Sequence, residues 1–195
     1  MRRALFLDRD GIINIDHGYV HRPEQVEFVP GIFALCRLAV ARGLLLVVVT
    51  NQSGIGRGLY TEDDFHALMR WMGARFAREG APLHAVEHCP DHPQHGIGPY
   101  RRESTRRKPG PGMLVDAAAA HSIALDASLM LGDKASDMEA ALAAGIATRI
   151  LASDDAAEIA RAPAGTLVLP SVAAVAGWFA AQPGRVSDST GTGWL

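Results

Sequence analysis

Hydrophobic positions along this chain form two patterns: short continuous runs, and longer segments with a period of three to four residues. The continuous runs at residues 4–7, 44–49 and 129–131 are typical of strands that are buried on both faces of a parallel sheet. The periodic segments between them, such as residues 31–42, have the spacing of a helix with one buried face. The chain therefore predicts strands and helices in alternation.

The other elements follow from the same patterns and from helix caps and turns. Residues 12–30 are expected to form an ordered loop with a short strand near Val26–Phe28, and residues 90–112 a long loop rich in proline, histidine and arginine. Strands are predicted at residues 4–7, 44–50, 83–89, 128–133, around 148–151 and at 166–169. Helices are predicted at residues 31–42, 61–78, 112–120 and 135–144, shortly after residue 154, and up to about residue 181.

Length and composition are those of an ordinary globular protein. The 195 residues are enough for one hydrophobic core, so residues 1–182 are expected to form a single domain, followed by a flexible tail at residues 183–195. Nineteen basic and 21 acidic side chains give a net charge of −2, which indicates no attraction to nucleic acid or membranes. Only four apolar residues precede Asp8, too few for a secretory signal. We expect a soluble, cytoplasmic monomer.

Two carboxylates follow the first apolar run. Asp8 and Asp10 are two positions apart, so an extended backbone points both side chains the same way, and Gly11 permits a sharp turn after them. Close carboxylates are stable together when a cation lies between them or when one is protonated. Mg²⁺ binds one or two carboxylates together with phosphate oxygens, so phosphate chemistry is the leading hypothesis. By itself, D-x-D-G is equally consistent with a strand followed by an acidic turn.

Later positions bring further chemical groups to the same edge of the predicted sheet. The second strand ends at Thr50, and the run at 129–131 leads to Asp133, with Asp137 four residues later. Lys108 is fixed by the prolines and glycines that follow it, immediately before a predicted helix. Ligands of open α/β sheets bind beyond the carboxyl ends of the strands, so these positions favour one shared site.

This ordered set resembles the four motifs of the haloacid dehalogenase superfamily of phosphohydrolases. D-x-D-G, a threonine after a hydrophobic strand, a lysine before a helix and G-D-x-x-x-D occur in order, and the resemblance spans about residues 4–169. The segments D-R-D-G, T-N-Q-S-G-I-G-R-G and R-K-P-x-P-G-M resemble the branch of heptose bisphosphate and histidinol-phosphate phosphatases. The implied fold is a Rossmann-like, doubly wound α/β structure with a mainly parallel sheet, helices on both faces and no large cap domain.

The chemistry of the matched side chains suggests a role for each. Asp8 is expected to be the nucleophile that forms an aspartyl-phosphate, and Asp10 to protonate the leaving group and then activate water. Thr50 and Lys108 would stabilise the transferring phosphoryl group. The expected cofactor is Mg²⁺, and its expected ligands are Asp8, the backbone carbonyl of Asp10, Asp133 and, directly or as an outer residue, Asp137.

The resemblance also implies a substrate and the residues that contact it. It favours removal of the 7-phosphate of D-glycero-D-manno-heptose 1,7-bisphosphate, a step of carbohydrate metabolism toward lipopolysaccharide. Residues 12–30 and 90–107 are too short for a folded cap, so loops should select the substrate. Arg107 is the candidate for binding a second, non-reacting phosphate, because a guanidinium binds phosphate bidentately. The implied contact residues are Asp16, His17, Gly18, Tyr19, Thr50, Asn51, Gln52, Ser53, Arg107, Lys108 and Lys134.

Three alternatives remain open at this stage. Histidinol-phosphate phosphatases share the core motifs and need no second phosphate. Polynucleotide 3′-phosphatases share them too, but the modest net charge of this chain disfavours a nucleic-acid partner. A phosphate-binding protein without turnover is disfavoured because every catalytic side chain is present. The expected partner is therefore a small phosphorylated sugar, not nucleic acid or a membrane.

The chain departs from the heptose enzymes at one expected metal site. In those enzymes the loop after the third strand usually holds a structural zinc; the corresponding positions here are Cys89, Asp91, Ser104 and Arg106. An arginine cannot bind the ion and repels it, so no zinc site is expected. An ion pair between Asp91 and Arg106 is expected in its place. The histidines interpreted as surface or loop residues are His88, His92 and His95.

Overall fold

A computed structural model describes residues 1–182 of the protein and contains one six-stranded sheet in which every pairing is parallel. The strands are β1 (Arg3–Leu7), β2 (Leu44–Asn51), β3 (Leu83–Cys89), β4 (Leu129–Gly132), β5 (Thr148–Ala152) and β6 (Leu167–Leu169). Across the sheet they follow the order β3-β2-β1-β4-β5-β6. The winding reverses between β1 and β4, which confirms the predicted doubly wound α/β fold.

Helices cover both faces of the sheet. They are α1 (Ile32–Ala41), α2 (Ser53–Gly56), α3 (Glu62–Arg78), α4 (Gly112–His121), α5 (Ala135–Ala143), α6 (Ala156–Arg161) and α7 (Val172–Ala181). One core contains Leu35 of α1, Phe65 of α3 and Val175 of α7. The other contains Met113 of α4 and Met138 of α5. Two apolar layers therefore enclose the sheet, as the continuous hydrophobic strands predicted.

β1 lies at the centre of the sheet and is apolar because both of its faces are covered. Leu5 and Leu7 belong to the core under α1, α3 and α7, whereas Phe6 belongs to the core under α4 and α5. The backbone N–H of Asp8 donates to the carbonyl of Leu131 at 3.0 Å, so the pairing with β4 continues one residue beyond β1. This bond fixes Asp8 at the carboxyl edge, beside the end of β4.

The prediction of a short strand near Val26–Phe28 was wrong in part. Near Val26–Phe28 there is only a single bridge between Phe28 and Asn14, and Pro23–Gln25 forms a short 3-10 helix. Proline has a fixed φ and no N–H, which favours a tight turn over a strand ladder. The glycine-rich loop after β2 contains the short helix Ser53–Gly56.

The two places where a cap domain could be inserted contain only short structure. Residues 12–30 and 90–107 form turns, single bridges and the 3-10 helices Pro23–Gln25 and Gly98–Tyr100, which agrees with the expected lack of a large cap. Among residues 1–182, no helix is both long and apolar enough to cross a membrane. The predicted flexible tail, residues 183–195, lies outside the described part of the chain.

The N-terminus of α3 is closed by a capping box. The Oγ1 atom of Thr61 accepts the N–H of Asp64 at 3.1 Å, and the carboxylate of Asp64 accepts the N–H of Thr61 at 2.8 Å. These bonds satisfy donors that a helix start leaves free. They fix the start of α3, and the apolar side of this helix, which includes Phe65 and Phe76, covers one face of the sheet.

We expect Thr61→Ala to lower the free energy of unfolding by about 1 kcal/mol, because the change removes the side-chain acceptor of the cap. Thr61 is exposed, so no apolar packing is lost with it. Urea unfolding of both proteins measures the difference. Thr61→Ser keeps the hydroxyl and should stay close to the wild-type value; an equal loss in both variants would contradict the assignment to the cap.

Candidate active site

Three carboxylates converge at the point where the winding of the sheet reverses. Asp8 follows β1, Asp133 follows β4, and Asp137 lies in the first turn of α5. Carboxylate oxygens of all three lie within 4.8 Å of one another. The convergence follows from topology, because neighbouring parallel strands deliver the residues after their ends to one edge.

Two motif glycines make room for these carboxylates. Gly11 has a φ of +90°, and a Cβ at this position would lie 2.3 Å from Oδ2 of Asp133. A Cβ at Gly132 would lie 2.3 Å from Oδ2 of Asp137. The glycines in D-x-D-G and G-D-x-x-x-D are therefore required by close approach to the acidic side chains.

Lys108 supplies the positive charge at the centre of this cluster. Its Nζ lies 2.8 Å from Oδ1 of Asp8 and 2.6 Å from Oδ1 of Asp137, and it donates to the carbonyl of Val49 at 2.9 Å. The side chain of Asn51 fixes the backbone of Lys108, accepting its N–H at 3.0 Å and donating to its carbonyl at 3.1 Å. Lys108 reaches the site from the long loop because both its backbone and its ammonium group are held.

Burial and mutual repulsion dominate the electrostatics. Burial raises the pKa of Asp133 to about 8, with further increases from Asp8 and Asp137. Burial also raises the pKa of Asp8 to about 6, against the opposing effect of Lys108. Burial alone would lower the pKa of Lys108, but Asp137 and Asp8 raise it above its usual value. The single positive charge of Lys108 therefore does not neutralise the negative charge of the three carboxylates when all of them are ionised.

Asp10 points into a separate set of hydrogen-bond donors. The guanidinium of Arg9, which is fully buried, donates from Nη2 to both carboxylate oxygens at 2.7 Å. The amide of Asn14 donates to Oδ1 at 3.0 Å, and that of Gln52 to Oδ2 at 3.1 Å. Asp10 is thus held beside Asp8 but outside the carboxylate cluster.

Gln52 connects Asp10 to Thr50. Its amide nitrogen donates to Oγ1 of Thr50 at 2.8 Å, and its carbonyl accepts the hydroxyl of Tyr60 at 2.5 Å. This single amide therefore orients side chains from two of the predicted motifs. From the sequence, Gln52 is predicted only to contact the substrate; its bonds to Asp10 and Thr50 are seen in the structure.

A cavity of about 640 Å³ opens above these groups. All but one of the residues predicted to contact the substrate line this cavity. Those that line it are Asp16, Gly18, Tyr19, Thr50, Asn51, Gln52, Ser53, Arg107, Lys108 and Lys134. The exception is His17, whose Nε2 lies 3.3 Å from Oε2 of Glu27 outside the cavity lining. His17 follows the turn at Asp16 but points toward the opposite side of the loop.

The rim of the cavity carries both signs of charge. The guanidinium of Arg107 donates to the carbonyl of Asp91 at 3.3 Å, and burial together with nearby Arg57 lowers its pKa. On the other side, Nζ of Lys134 lies 3.7 Å from Oδ2 of Asp16. Arg107 and Lys134 therefore both bring positive charge to the cavity that Asp8 also lines.

Some lining and supporting residues were not among the sequence candidates. Arg9 and Asn14 hold Asp10, and Tyr60 holds Gln52. Arg9 lies between Asp8 and Asp10 in the sequence, and this position could have indicated that it contacts one of them. Nothing local in the sequence indicates that Asn14 or Tyr60 turns toward the site.

The predicted ion pair between Asp91 and Arg106 was wrong. Arg106 donates to Glu87 at 2.7 Å and pairs with Asp116, while Arg102 Nε lies 3.0 Å from Oδ1 of Asp91. Arg106 lies beside β3 and α4, and its guanidinium pairs there with Glu87 and Asp116 instead of with Asp91.

Comparison with known proteins agrees with this geometry. A family model described as HAD-hyrolase-like matches residues 105–175, a segment that includes Lys108, Asp133 and Asp137. A D-glycero-alpha-D-manno-heptose-1,7-bisphosphate 7-phosphatase from Burkholderia mallei is 52% identical over 169 residues, which cover 86% of this chain and 89% of that protein.

Two further relatives extend the comparison. A D-glycero-beta-D-manno-heptose-1,7-bisphosphate 7-phosphatase from Vibrio cholerae is 49% identical over 148 residues, covering 76% of this chain and 80% of that protein. The crystal structure of a D,D-heptose 1,7-bisphosphate phosphatase from B. bronchiseptica, complexed with magnesium and phosphate, has a TM-score of 0.79 and 30% identity, covering 91% of this chain and 98% of that chain. The chain therefore belongs to the haloacid dehalogenase superfamily, in the branch of the heptose-1,7-bisphosphate 7-phosphatases.

Proposed function

We propose that this protein is a Mg²⁺-dependent phosphatase that removes the 7-phosphate of D-glycero-D-manno-heptose 1,7-bisphosphate through an aspartyl-phosphate. The observation that carries the proposal is the convergence of Asp8, Asp133 and Asp137 with Lys108 beneath an open cavity. Relatives at about half identity are named for this hydrolysis. The protein would act on a soluble sugar phosphate, which fits a site reached through loops without a large cap.

The carboxylate cluster fits a magnesium ion. All of its candidate ligand atoms are carboxylate oxygens, the type that Mg²⁺ prefers. The Oδ1 atom of Asp133 is buried and has no hydrogen-bond partner, so it is free to bind a cation. When ionised, the three carboxylates exceed the charge of Lys108 by two, which a divalent ion would balance. Bound Mg²⁺ would neutralise phosphate charge and orient the transferring group.

Asp8 is placed to attack phosphorus in the first step. Its carboxylate oxygen would form a bond to phosphorus while the bond between phosphorus and the sugar oxygen breaks. The protonated carboxyl of Asp10 would give its proton to that leaving oxygen. In the second step, Asp10 would take a proton from water as the water oxygen attacks phosphorus, which releases inorganic phosphate and restores Asp8.

Neighbouring side chains would prepare the site for both steps. Lys108 and Thr50 would stabilise the phosphoryl oxygens where negative charge develops. Gln52 bonds both Thr50 and Asp10, so it would keep the general acid aligned with the phosphoryl pocket. Arg107 would bind the second phosphate, which would distinguish a bisphosphate from a monophosphate substrate.

We expect Asp8→Asn to remove turnover, because the amide keeps the shape of the side chain but is no nucleophile. Asp10→Asn should lower the rate by about 10²–10⁴-fold, the usual contribution of a general acid. Phosphate release from both anomers of heptose 1,7-bisphosphate measures these rates, and circular dichroism checks the fold. Asp8→Asn with most of the wild-type rate would exclude the covalent mechanism.

Removal of divalent ions should abolish activity, and Mg²⁺ should restore it. Ca²⁺ should restore little, because its looser and larger coordination suits in-line transfer poorly. The measurement is phosphate release after exhaustive chelation, followed by addition of each ion separately. Full activity of the metal-free protein would count against the proposed metal ligands.

Arg107→Ala should raise KM for the heptose bisphosphate by about 10- to 100-fold, the equivalent of one hydrogen-bonded charge. KM for histidinol phosphate, which has one phosphate, should change little. Arg101→Ala is the matched control, since this exposed arginine of the same loop does not line the cavity. Equal losses on both substrates, or better turnover of histidinol phosphate by the wild type, would favour the histidinol-phosphate alternative.

A further inference from the structure

A second group of metal-binding side chains lies outside the active site, between α3 and β3. It consists of Glu62 and His66, one turn apart on α3, and of His88 near the end of β3. One ligand atom from each lies within 4.8 Å of the other two. Nε2 of His88 is 3.3 Å from Oε2 of Glu62, and Nε2 of His66 is 3.8 Å from the same oxygen.

These separations suit ligands that share one ion. Zinc lies about 2.0–2.2 Å from imidazole nitrogens and carboxylate oxygens, so tetrahedral ligand atoms lie about 3.3–3.6 Å apart. The distances of 3.3 Å and 3.8 Å are close to this spacing before any side-chain rotation. His66 and Glu62 are both about half exposed, with 49% and 40% of their side chains accessible, so they can adjust and an ion can enter.

The supporting contacts orient two of the three ligands. The hydroxyl of Tyr100 donates to Oε1 of Glu62 at 3.2 Å, which leaves Oε2 facing the two imidazoles. The ring of Phe65 lies against the ring of His88, with 4.5 Å between centroids, and only 16% of the His88 side chain is accessible. Outer hydrogen bonds and packing of this kind hold metal ligands in place.

Side chains of both signs of charge surround the cluster. Glu62 is followed by Asp63 and Asp64 in the first turn of α3, so the local surface is acidic. Arg106 lies near His88, but its guanidinium is already paired with Glu87 and Asp116. Imidazoles are mostly neutral at pH 7 and can offer a lone pair to a metal.

The donor set selects a different ion from that of the active site. Two nitrogens and one carboxylate suit zinc, nickel and copper, whereas a set of oxygens alone suits magnesium. Three protein ligands leave at least one position for water, which is the pattern of an open rather than a closed zinc site. The half-exposed His66 and Glu62 leave this position accessible to solvent.

We propose that Glu62, His66 and His88 bind one exchangeable divalent transition-metal ion, with Zn²⁺ as the reference ion. The bound ion would join the start of α3 to the end of β3 and, through Tyr100, to the long loop after β3. His88 is the register partner of Thr50, so the ion would brace the sheet edge one strand away from the active site. The site uses none of the positions Cys89, Asp91, Ser104 and Arg106, where no zinc is expected.

The test is calorimetric titration of Zn²⁺ into the untagged protein, with millimolar Mg²⁺ present to occupy the oxygen ligands of the active site. At zinc concentrations that just saturate the wild type, the wild type should bind one more zinc ion per chain than His66→Ala, and zinc should raise its melting temperature more than that of His66→Ala. Loss of an outer hydrogen bond alone weakens metal binding by about 10–100-fold. Loss of the His66 ligand should therefore weaken it at least as much, and Tyr100→Phe should fall within that range.

Matched variants separate this site from other histidines. His84→Ala removes a surface imidazole that lies 3.2 Å from His121 with no carboxylate in the pair, and it should bind zinc like the wild type. Glu62→Gln keeps an acceptor for Tyr100 but loses the charge, and it should bind weakly. His66 is exposed and touches no catalytic group, so His66→Ala should retain the Mg²⁺-dependent activity, whatever that activity is.

Equal zinc binding in the wild type and His66→Ala would overturn the proposal. So would a loss of zinc binding in His84→Ala. No zinc binding by the wild type at about 100 μM, a concentration that would nearly saturate a site with a Kd of about 1 μM, would also overturn it. None of these results depends on turnover, so a failed metal site and a failed phosphatase assignment can be told apart.

Discussion

The ion pairs of Lys108 are the interaction on which the site depends. Its ammonium group is buried and contacts two carboxylates that would otherwise repel each other, at 2.8 Å and 2.6 Å. A buried charge is stable only when it is paired and hydrogen-bonded. Removal of one partner leaves the other charge buried and unpaired. Lys108 therefore holds together Asp8 from β1 and Asp137 from α5. It leaves Asp133 with a raised pKa and a free oxygen, which is the condition that favours a divalent ion.

Topology makes this charge cluster possible at low cost to the fold. β1 and β4 are neighbours in the sheet although Asp8 and Asp133 are 125 positions apart in the sequence. Leu7 and Leu131 are register partners, and the two aspartates follow them by one and two positions. The two strands are apolar and rigid because both faces are covered, so they place the carboxylates without strain in the core. Gly11 and Gly132 then remove the side chains that would collide with the carboxylates. The carboxylates of Asp8 and Asp133 thus follow two strands whose side chains are almost all buried.

The protein presents two chemically distinct sets of candidate metal ligands along one sheet edge. The set beyond β1 and β4 contains only carboxylates, and the set between α3 and β3 contains two imidazoles and one carboxylate. Ligand type favours magnesium for the first set and a transition metal for the second. Thr50 and His88 are register partners, so the second set lies one strand away from Thr50.

The sequence by itself determined the alternation of strands and helices, the parallel sheet and the residues at its carboxyl edge. These follow from local rules: continuous apolar runs mark buried strands, and side chains after strand ends reach the ligand crevice. Only the tertiary structure decided which partners the other side chains choose. Arg106 pairs with Glu87 and Asp116 instead of Asp91, and His17 turns to Glu27. His88, interpreted from sequence as a surface or loop residue, packs against Phe65 beside Glu62. A long charged side chain can reach several groups of opposite charge. Which of these groups it pairs with depends on how close the fold brings them, and many of them lie on elements that are far apart in the sequence.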